Sequence, residues 1–338
     1  MVPKKVTSAD VAALAGVSQS AVSRVFTPGA SASARTTEKV RKAAAELGYR
    51  PNALARAVVS GKSRIIGLVV AYLENQFYPD VLERLSTALQ AKGYHVLIFM
   101  ASQTEGKLNS VVDEILDYQV DGIIAASLDL SSDLTERCRA AGVPMVLFNR
   151  SQDEPHVSAV TSANAVGGRK VAEFLLACGH QKMSYIAGSE GASTQRDREQ
   201  GFVDGLAAAG RALHSRSVGN FTMEGAREAT LEMFATDPPD AVFVASDLMA
   251  LAVLDTLRFE LGLSVPEDVA VVGYDDVPAA AWPSYNLSTL RQPVTRMVTE
   301  TVDILLSKIN NSNAGPKCAE FEGSLVMRGT TRMFLGDK

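Results

Sequence analysis

The sequence predicts a small all-α helix-turn-helix head in front of an α/β body built of two doubly wound parallel-sheet lobes. Length is the first reason, because 338 residues exceed one ordinary domain. Charge is the second: residues 1–62 hold ten Lys or Arg against three Asp or Glu, a net of +7, and the remainder holds 23 against 35, a net of −12. The third is periodicity, since from Arg64 onward short apolar runs alternate with amphipathic stretches of about 12 to 16 residues, the pattern of parallel strands joined by helices.

Hydrophobic residues make up 46% of the chain and charged residues 21%, as in a soluble globular protein. No apolar run reaches the roughly 18 residues of a membrane span. The amino end, Met1-Val2-Pro3-Lys4-Lys5, is followed by a helix of mixed polarity and not by the apolar segment of a signal peptide. A cytoplasmic protein with no membrane partner is expected. Cys138, Cys178 and Cys318 are odd in number and lack C-x-x-C spacing, so all three read as buried small apolar residues. His95, His156, His180 and His214 show no H-x-x-x-H spacing. No metal or other cofactor is expected.

In the head, Thr7-Ser8-Ala9-Asp10 is a capping-box start, with the Thr7 hydroxyl free for an early backbone N–H and Asp10 favoured by the helix dipole. Val11, Leu14 and Ala15 recur at helical spacing. Gly16 then supplies a left-handed residue, Val17 turns inward, and Ser18 caps a second helix after a turn of about three residues, the helix-turn-helix spacing. Val22 and Val25 face inward there, which leaves Gln19, Ser20, Ser23 and Arg24 outside. Arg can donate twice to guanine and Gln can pair twice with adenine. Thr7, Ser18, Gln19, Ser20, Ser23 and Arg24 are therefore candidate DNA contacts. A third helix is expected from about Thr36 to Leu47, with Val40, Ala43, Ala44 and Leu47 inward, Arg35, Lys39, Arg41 and Lys42 outward, and Gly48 ending it.

The stretch D-V-A-A-L-A-G-V-S-Q-S-A-V-S-R-V-F at 10–26 closely resembles the head of the lactose repressor (LacI/GalR) family. The resemblance continues through G-Y-R-P-N-A-L-A-R-A at 48–57 and I-I-G-L-V-V at 65–70, and then covers essentially the whole chain. It implies a DNA-binding transcriptional repressor controlled by a small polar molecule. It also implies that residues 51–63 are a hinge, starting at Pro51, whose helix pairs with that of a second copy in the minor groove of operator DNA. Asn52, Ala55 and Arg56 fit the family's hinge pattern, but the wedge position, a leucine in the family, holds Val58. A shallower kink and a transfer of the wedge to Leu54 are both open.

Strands are expected at Ile65–Val70, His95–Met100, Gly122–Ala126, Met145–Phe148, Met183–Ile186, Ala241–Val244 and Val269–Gly273. They fall in two comparable stretches, 64–161 and 162–291, completed by 292–322 and 323–338 respectively. The family resemblance makes this a periplasmic-binding-protein-like body (64–338) behind the head (1–50), with a ligand cleft between the lobes. Ligands of open parallel sheets sit beyond the carboxyl ends of strands, where Phe77, Tyr78, Ser127, Asn149, Arg150, Ser246, Asp247 and Asp275 fall. Positions matching Phe77, Tyr78, Asn149, Arg198, Phe221, Ser246 and Asp275 line the effector cleft in the family. Arg198 belongs to R-x-R-x-x-G-F at 196–202 and Asp275 to V-V-G-Y-D-D. The chain departs from the family where an Asp-Asn pair before Gly167-Gly168 reads Ala163-Asn164, and where an acid after the fourth strand is Asn149. Fewer acids in the cleft argue against a sugar read by paired carboxylates and leave a less basic or an anionic ligand open.

Leu335-Gly336-Asp337-Lys338 follows without a leucine heptad, which predicts a homodimer and not a coiled-coil tetramer. Two rival classes fare worse. A transporter's solute-binding protein would need a signal peptide and no basic head. An enzyme would need a motif such as G-x-x-x-x-G-K-[ST], G-x-G-x-x-G or G-x-S-x-G, none of which occurs, and the adjacent Asp275 and Asp276 diverge in an extended segment.

Overall fold

The structure, a computed structural model, describes residues 6–27, 30–50, 62–71, 73–101, 107–126, 132–152, 156–311 and 313–332. The chain divides into two units, Met1–Arg64 and Ile65–Lys338.

In the first unit, helix α1 (Ser8–Ala15) starts at a capping box in which Thr7 and Asp10 each accept from the other's backbone N–H. It ends at Gly16, whose φ of 63° is the left-handed conformation a residue with a side chain resists. Ser18 caps α2 (Gln19–Phe26) and Ser33 caps α3 (Ala34–Leu47), so the third helix begins two residues earlier than expected. Val11, Ala12, Ala15, Val22, Val40, Ala43 and Ala44 form the core, with Val17, Val25, Phe26, Leu47 and Tyr49 packed on it. Leu14 is a correction: the buried arc runs over Val11, Ala12 and Ala15, which turns Leu14 to solvent.

Among the described residues the second unit holds two six-stranded sheets. The first contains β1 (Ile65–Val70), β2 (His95–Met100), β3 (Gly122–Ala126), β4 (Met145–Phe148), β5 (Ser158–Ser162) and β11 (Cys318–Phe321), in the order β11-β5-β4-β3-β1-β2. All its pairings are parallel, with Ile66 beside Val96 on one side and Gly122 on the other. The second contains β6 (Met183–Ala187), β7 (Arg216–Val218), β8 (Ala241–Val244), β9 (Ala270–Asp275), β10 (Ser288–Arg291) and β12 (Ser324–Val326), in the order β12-β10-β9-β8-β6-β7. Only β10 with β12 is antiparallel there.

Helices follow the strands: α4 (Phe77–Ala91), α5 (Lys107–Asp117) and α6 (Ser132–Ala140) in the first lobe, α7 (Asn164–Ala177), α8 (Ser193–Ala208), α9 (Met223–Phe234) and α10 (Asp247–Asp255) in the second. The chain changes lobe after β5, between β10 and α11 (Val294–Asn310), and between β11 and β12. Strands β5, β7, β10, β11 and β12 were not expected. They are short and rich in Ser, Thr or charge, and neighbours in the sheet supply the pairing that their own periodicity does not announce. Tyr274 and Asp275 lengthen β9 toward the cleft. The cysteines need correction as well: Cys138 is buried, but Cys178 is only partly so and Cys318 is exposed.

Two glycines set the distance between α7 and α8. A Cβ on Gly168 would lie 2.0 Å from the Arg198 carbonyl oxygen, and one on Gly201 would lie 1.9 Å from that of Ala165. The helix backbones therefore touch, which delivers the Arg198 side chain toward the sheet. Gly201→Ala should lower the unfolding free energy by about 3 kcal/mol, the upper range for forced overpacking, measured by urea denaturation; an unchanged midpoint would contradict the close approach.

Candidate functional site

On the head, Thr7, Ser18, Gln19, Ser20, Ser23 and Arg24 are all exposed along the start of α1 and the outer side of α2. Gln19 Nε2 donates to Ser8 Oγ at 2.8 Å, and the Ser18 and Ser20 hydroxyls are 2.9 Å apart. These bonds orient the first turn of α2, while Arg24 extends from its last turn. Arg35, Lys39, Arg41 and Lys42 are exposed on α3. Asn52, Leu54, Ala55, Arg56 and Val58 lie outside the described residues.

In the second unit, sheet order reverses at β1 between β2 and β3, and at β6 between β7 and β8. These are the switch points beyond which loops part and leave a crevice. From the first lobe come Phe77, Tyr78, Asn149 and Arg150, all buried. The Phe77 ring packs edge-on against Tyr78 at 5.2 Å and near Phe148 at 6.5 Å. Asn149 is held at a left-handed φ of 57° and donates from Nδ2 to Tyr78 Oη at 3.4 Å. Its buried Oδ1 has no partner among the described residues. Ser127 lies outside them.

From the second lobe comes Arg198, 2% exposed. It donates from Nε to Asn164 Oδ1 at 2.9 Å and from Nη1 to the Ala245 carbonyl at 2.5 Å, and it stacks 3.6 Å over the Tyr274 ring. Its Nη2 is 3.8 Å from Asp275 Oδ1. Asp275 also accepts from Gln292 Nε2 at 2.7 Å and Asn75 Nδ2 at 3.2 Å. Burial pushes the Asp275 carboxyl above the usual carboxylate range, against the pull of Arg198 and these two amides. Asp276 points away, to Arg291 and Arg328. Ser246 caps α10 through its hydroxyl.

Asp247, expected at the cleft, has partners of its own. It is fully buried, and both carboxylate oxygens are taken, one by Thr289 Oγ1 at 2.6 Å and one by the Val277 N–H at 2.9 Å. It fastens the 275–278 loop to β10.

Side chains meet directly across the cleft. Arg150 Nη1 donates to Thr194 Oγ1 at 2.6 Å, the Ser151 N–H to Ser193 Oγ at 3.0 Å, and Asn75 to Asp275. Arg150 also lies over the Phe221 ring, 5.9 Å from its centre. Beside these contacts a cavity of about 500 Å³ opens between α4 and the β10–α11 crossover, lined by Gln76, Phe77, Asp275, Val277, Gln292 and Val294 among others. Gln292 was missed in the sequence. It is 2% exposed and its Oε1 has no partner among the described residues. It follows β10, and recognising that strand would have marked it. Asn75, Ser193 and Thr194 carried no comparable signal. Among the described residues no three or more His, Cys, Asp or Glu side chains gather as metal ligands, and no helix is long and apolar enough to cross a membrane.

A helix-turn-helix head joined to two Rossmann-like lobes with a polar cleft defines a DNA-binding transcription regulator with a periplasmic-binding-protein-like body. Residues 7–52 match the model of bacterial regulatory proteins of the lacI family, and residues 172–331 match that of the periplasmic binding protein-like domain. The HTH-type transcriptional regulator CelR of Thermobifida fusca is 35% identical over 329 residues, covering 94% of this chain and 96% of the relative. The HTH-type transcriptional repressor PurR of Vibrio vulnificus (strain CMCP6) is 30% identical over 330 residues, covering 96% and 98%. Among solved structures, a lac repressor dimer bound to operator and the anti-inducer ONPF aligns with a TM-score of 0.87 at 29% identity, over 97% of this chain and 99% of that one. A CelR–cellobiose complex aligns at 0.74 with 33% identity, over 96% and 100%. The chain belongs to the lacI family of bacterial regulatory proteins.

Asp247 supplies a pH test of the cleft's support. Burial first, and the neighbouring Asp275 second, raise its carboxyl to about 7. A carboxyl that is protonated in the fold and ionised in the unfolded chain loses its contribution as pH rises through the folded value. The wild-type melting temperature should therefore fall between about pH 4 and pH 7 more steeply than that of Asp247→Asn; parallel curves would show that Asp247 is not the titrating group.

Proposed function

We propose that two copies of this chain bind a roughly palindromic operator in the cytoplasm and repress transcription, and that a sugar or related polar metabolite held between the lobes adjusts this grip. The arrangement that carries the reading is the convergence of both lobes on one polar cleft. Asn149 and Gln292 each offer a buried amide oxygen that no described residue satisfies, and a buried acceptor is costly unless something donates to it. Asp275 stands beside them as a further acceptor, and Phe77 and Phe221 offer faces to a ring. The reading assigns no catalytic step to the chain.

The head is residues 1–50, the hinge 51–63, and the body 64–338. The three lobe crossings are the flexible joints. A ligand that prefers one lobe angle shifts the population toward it, and in a dimer this changes the separation of the two segments 51–63 that reach the minor groove. The second copy would cover apolar surface that is otherwise in water: Ile98 and Met100 on the sheet-edge strand β2, and Phe259 and Trp282 in the second lobe, are each half exposed or more.

Selection from random duplex DNA should enrich a palindrome. Arg24→Ala should then cost about 1–3 kcal/mol in operator affinity and relax discrimination at one base position; unchanged discrimination would remove Arg24 from the reading surface. Asp275→Asn should abolish the effect of a bound metabolite on operator affinity, measured by fluorescence anisotropy, and a fully responsive variant would place the effector elsewhere.

A further inference from the structure

We propose that Gly188 is a positioning residue of the effector cleft: it lets the Phe221 ring settle against the sheet and so sets the height of a platform for the apolar face of a cyclic ligand. The proposal rests on the effector reading above. Gly188 follows β6, at the point where the second sheet reverses its order. A Cβ there would lie 2.1, 2.4 and 2.5 Å from Cζ, Cε2 and Cε1 of Phe221. The tip of the ring occupies the space a side chain would need. The Gly188 backbone does not itself require glycine, for its φ lies outside the left-handed range in which Gly16 and Gly48 are held. What excludes a methyl group is the ring.

Both partners are held in place. Asn220 and Phe221 adopt successive left-handed conformations, with φ of 53° and 58°, which non-glycine residues keep only where their surroundings impose it. On the other side, the Gly188 N–H donates to Gln195 Oε1 at 3.3 Å, and that oxygen also accepts from Tyr185 Oη at 2.8 Å. Gln195 Nε2 donates to Glu199 Oε2 at 2.6 Å, and Arg216 clamps Glu199 at 2.5 Å. A bonded chain thus runs from the surface ion pair to the residue under the ring. Across the cleft, Arg150 of the first lobe lies over the same ring, 5.9 Å from its centre. A methyl at position 188 would have to displace the ring tip by more than an ångström to reach ordinary contact.

The test is a double-mutant cycle on the full-length protein with Gly188→Ala, Phe221→Ala and the pair, read by calorimetric titration with a panel of mono- and disaccharides and sugar acids that includes cellobiose. The compound that binds the wild type best should bind each single variant roughly tenfold more weakly, the value of one well-placed aromatic face. The pair should bind no more weakly than Phe221→Ala, because the methyl then has no ring to displace. Wild-type affinity in Gly188→Ala, with affinity lost in Phe221→Ala, overturns the role of Gly188 alone, as do losses that add in the pair. If Gly188→Ala does not fold, a pair that folds supports the conflict with the ring and an unfolded pair overturns it. Failure of every compound to bind the wild type removes the effector reading itself and this proposal with it.

Discussion

Arg198 carries a full charge in a space that admits almost no water, and a buried guanidinium is tolerated only when its donors are spoken for. Its partners come from four places: Asn164 at the start of α7, the Ala245 carbonyl after β8, the Tyr274 ring on β9, and Asp275 at the end of that strand. Each of these has to stay in place for the charge to be accommodated. The bare contact of α7 and α8 at Gly168 and Gly201 brings the arginine to that depth. One ion thereby ties helix packing to cleft geometry, and Asp275 is oriented by the same group that offsets its charge.

Polar side chains of the two lobes meet at the cleft, beside one apolar cluster that includes Ile66, Phe77 and Phe148 of the first lobe and Tyr185, Phe243 and Tyr274 of the second. Arg150 with Thr194, Ser151 with Ser193, and Asn75 with Asp275 are bonds that water or ligand hydroxyls can replace at little net cost. The aromatic residues Tyr185, Phe202, Phe243 and Tyr274 stack inside the second lobe. Exchangeable polar contacts of this kind are what a hinge-type response requires.

Much of the fold was legible because its signals are local. Capping residues, left-handed glycines and 3.6-residue periodicity place the three head helices to within two residues, and continuous apolar runs mark the central strands. Leu14 misled because helical spacing alone does not say which side of the arc the other helices will cover. The strands next to the sheet edges were illegible for a related reason: Ser158–Ser162 is held between β4 and β11, and Ser288–Arg291 between β9 and β12. With β10 unseen, Gln292 went unnoticed, and the bonds of Asp247 were out of reach of local patterns because its partners, Thr289 and Val277, lie 42 and 30 residues further on.

By itself the sequence determined the class of the protein: a basic head with helix-turn-helix spacing, an acidic body of alternating strands and helices, and the stretches at 10–26 and 48–57 that resemble one family. These are properties of composition and short-range order, which the linear chain carries in full. Tertiary structure decided which candidate side chains are free. Among the described residues nothing donates to Asn149 Oδ1 or Gln292 Oε1, Asp247 already accepts from Thr289 and Val277, and Gly188 lies beneath Phe221. A residue type states what an atom can bond, but whether a bond is already made depends on groups that only the folded chain brings within 3 Å or so.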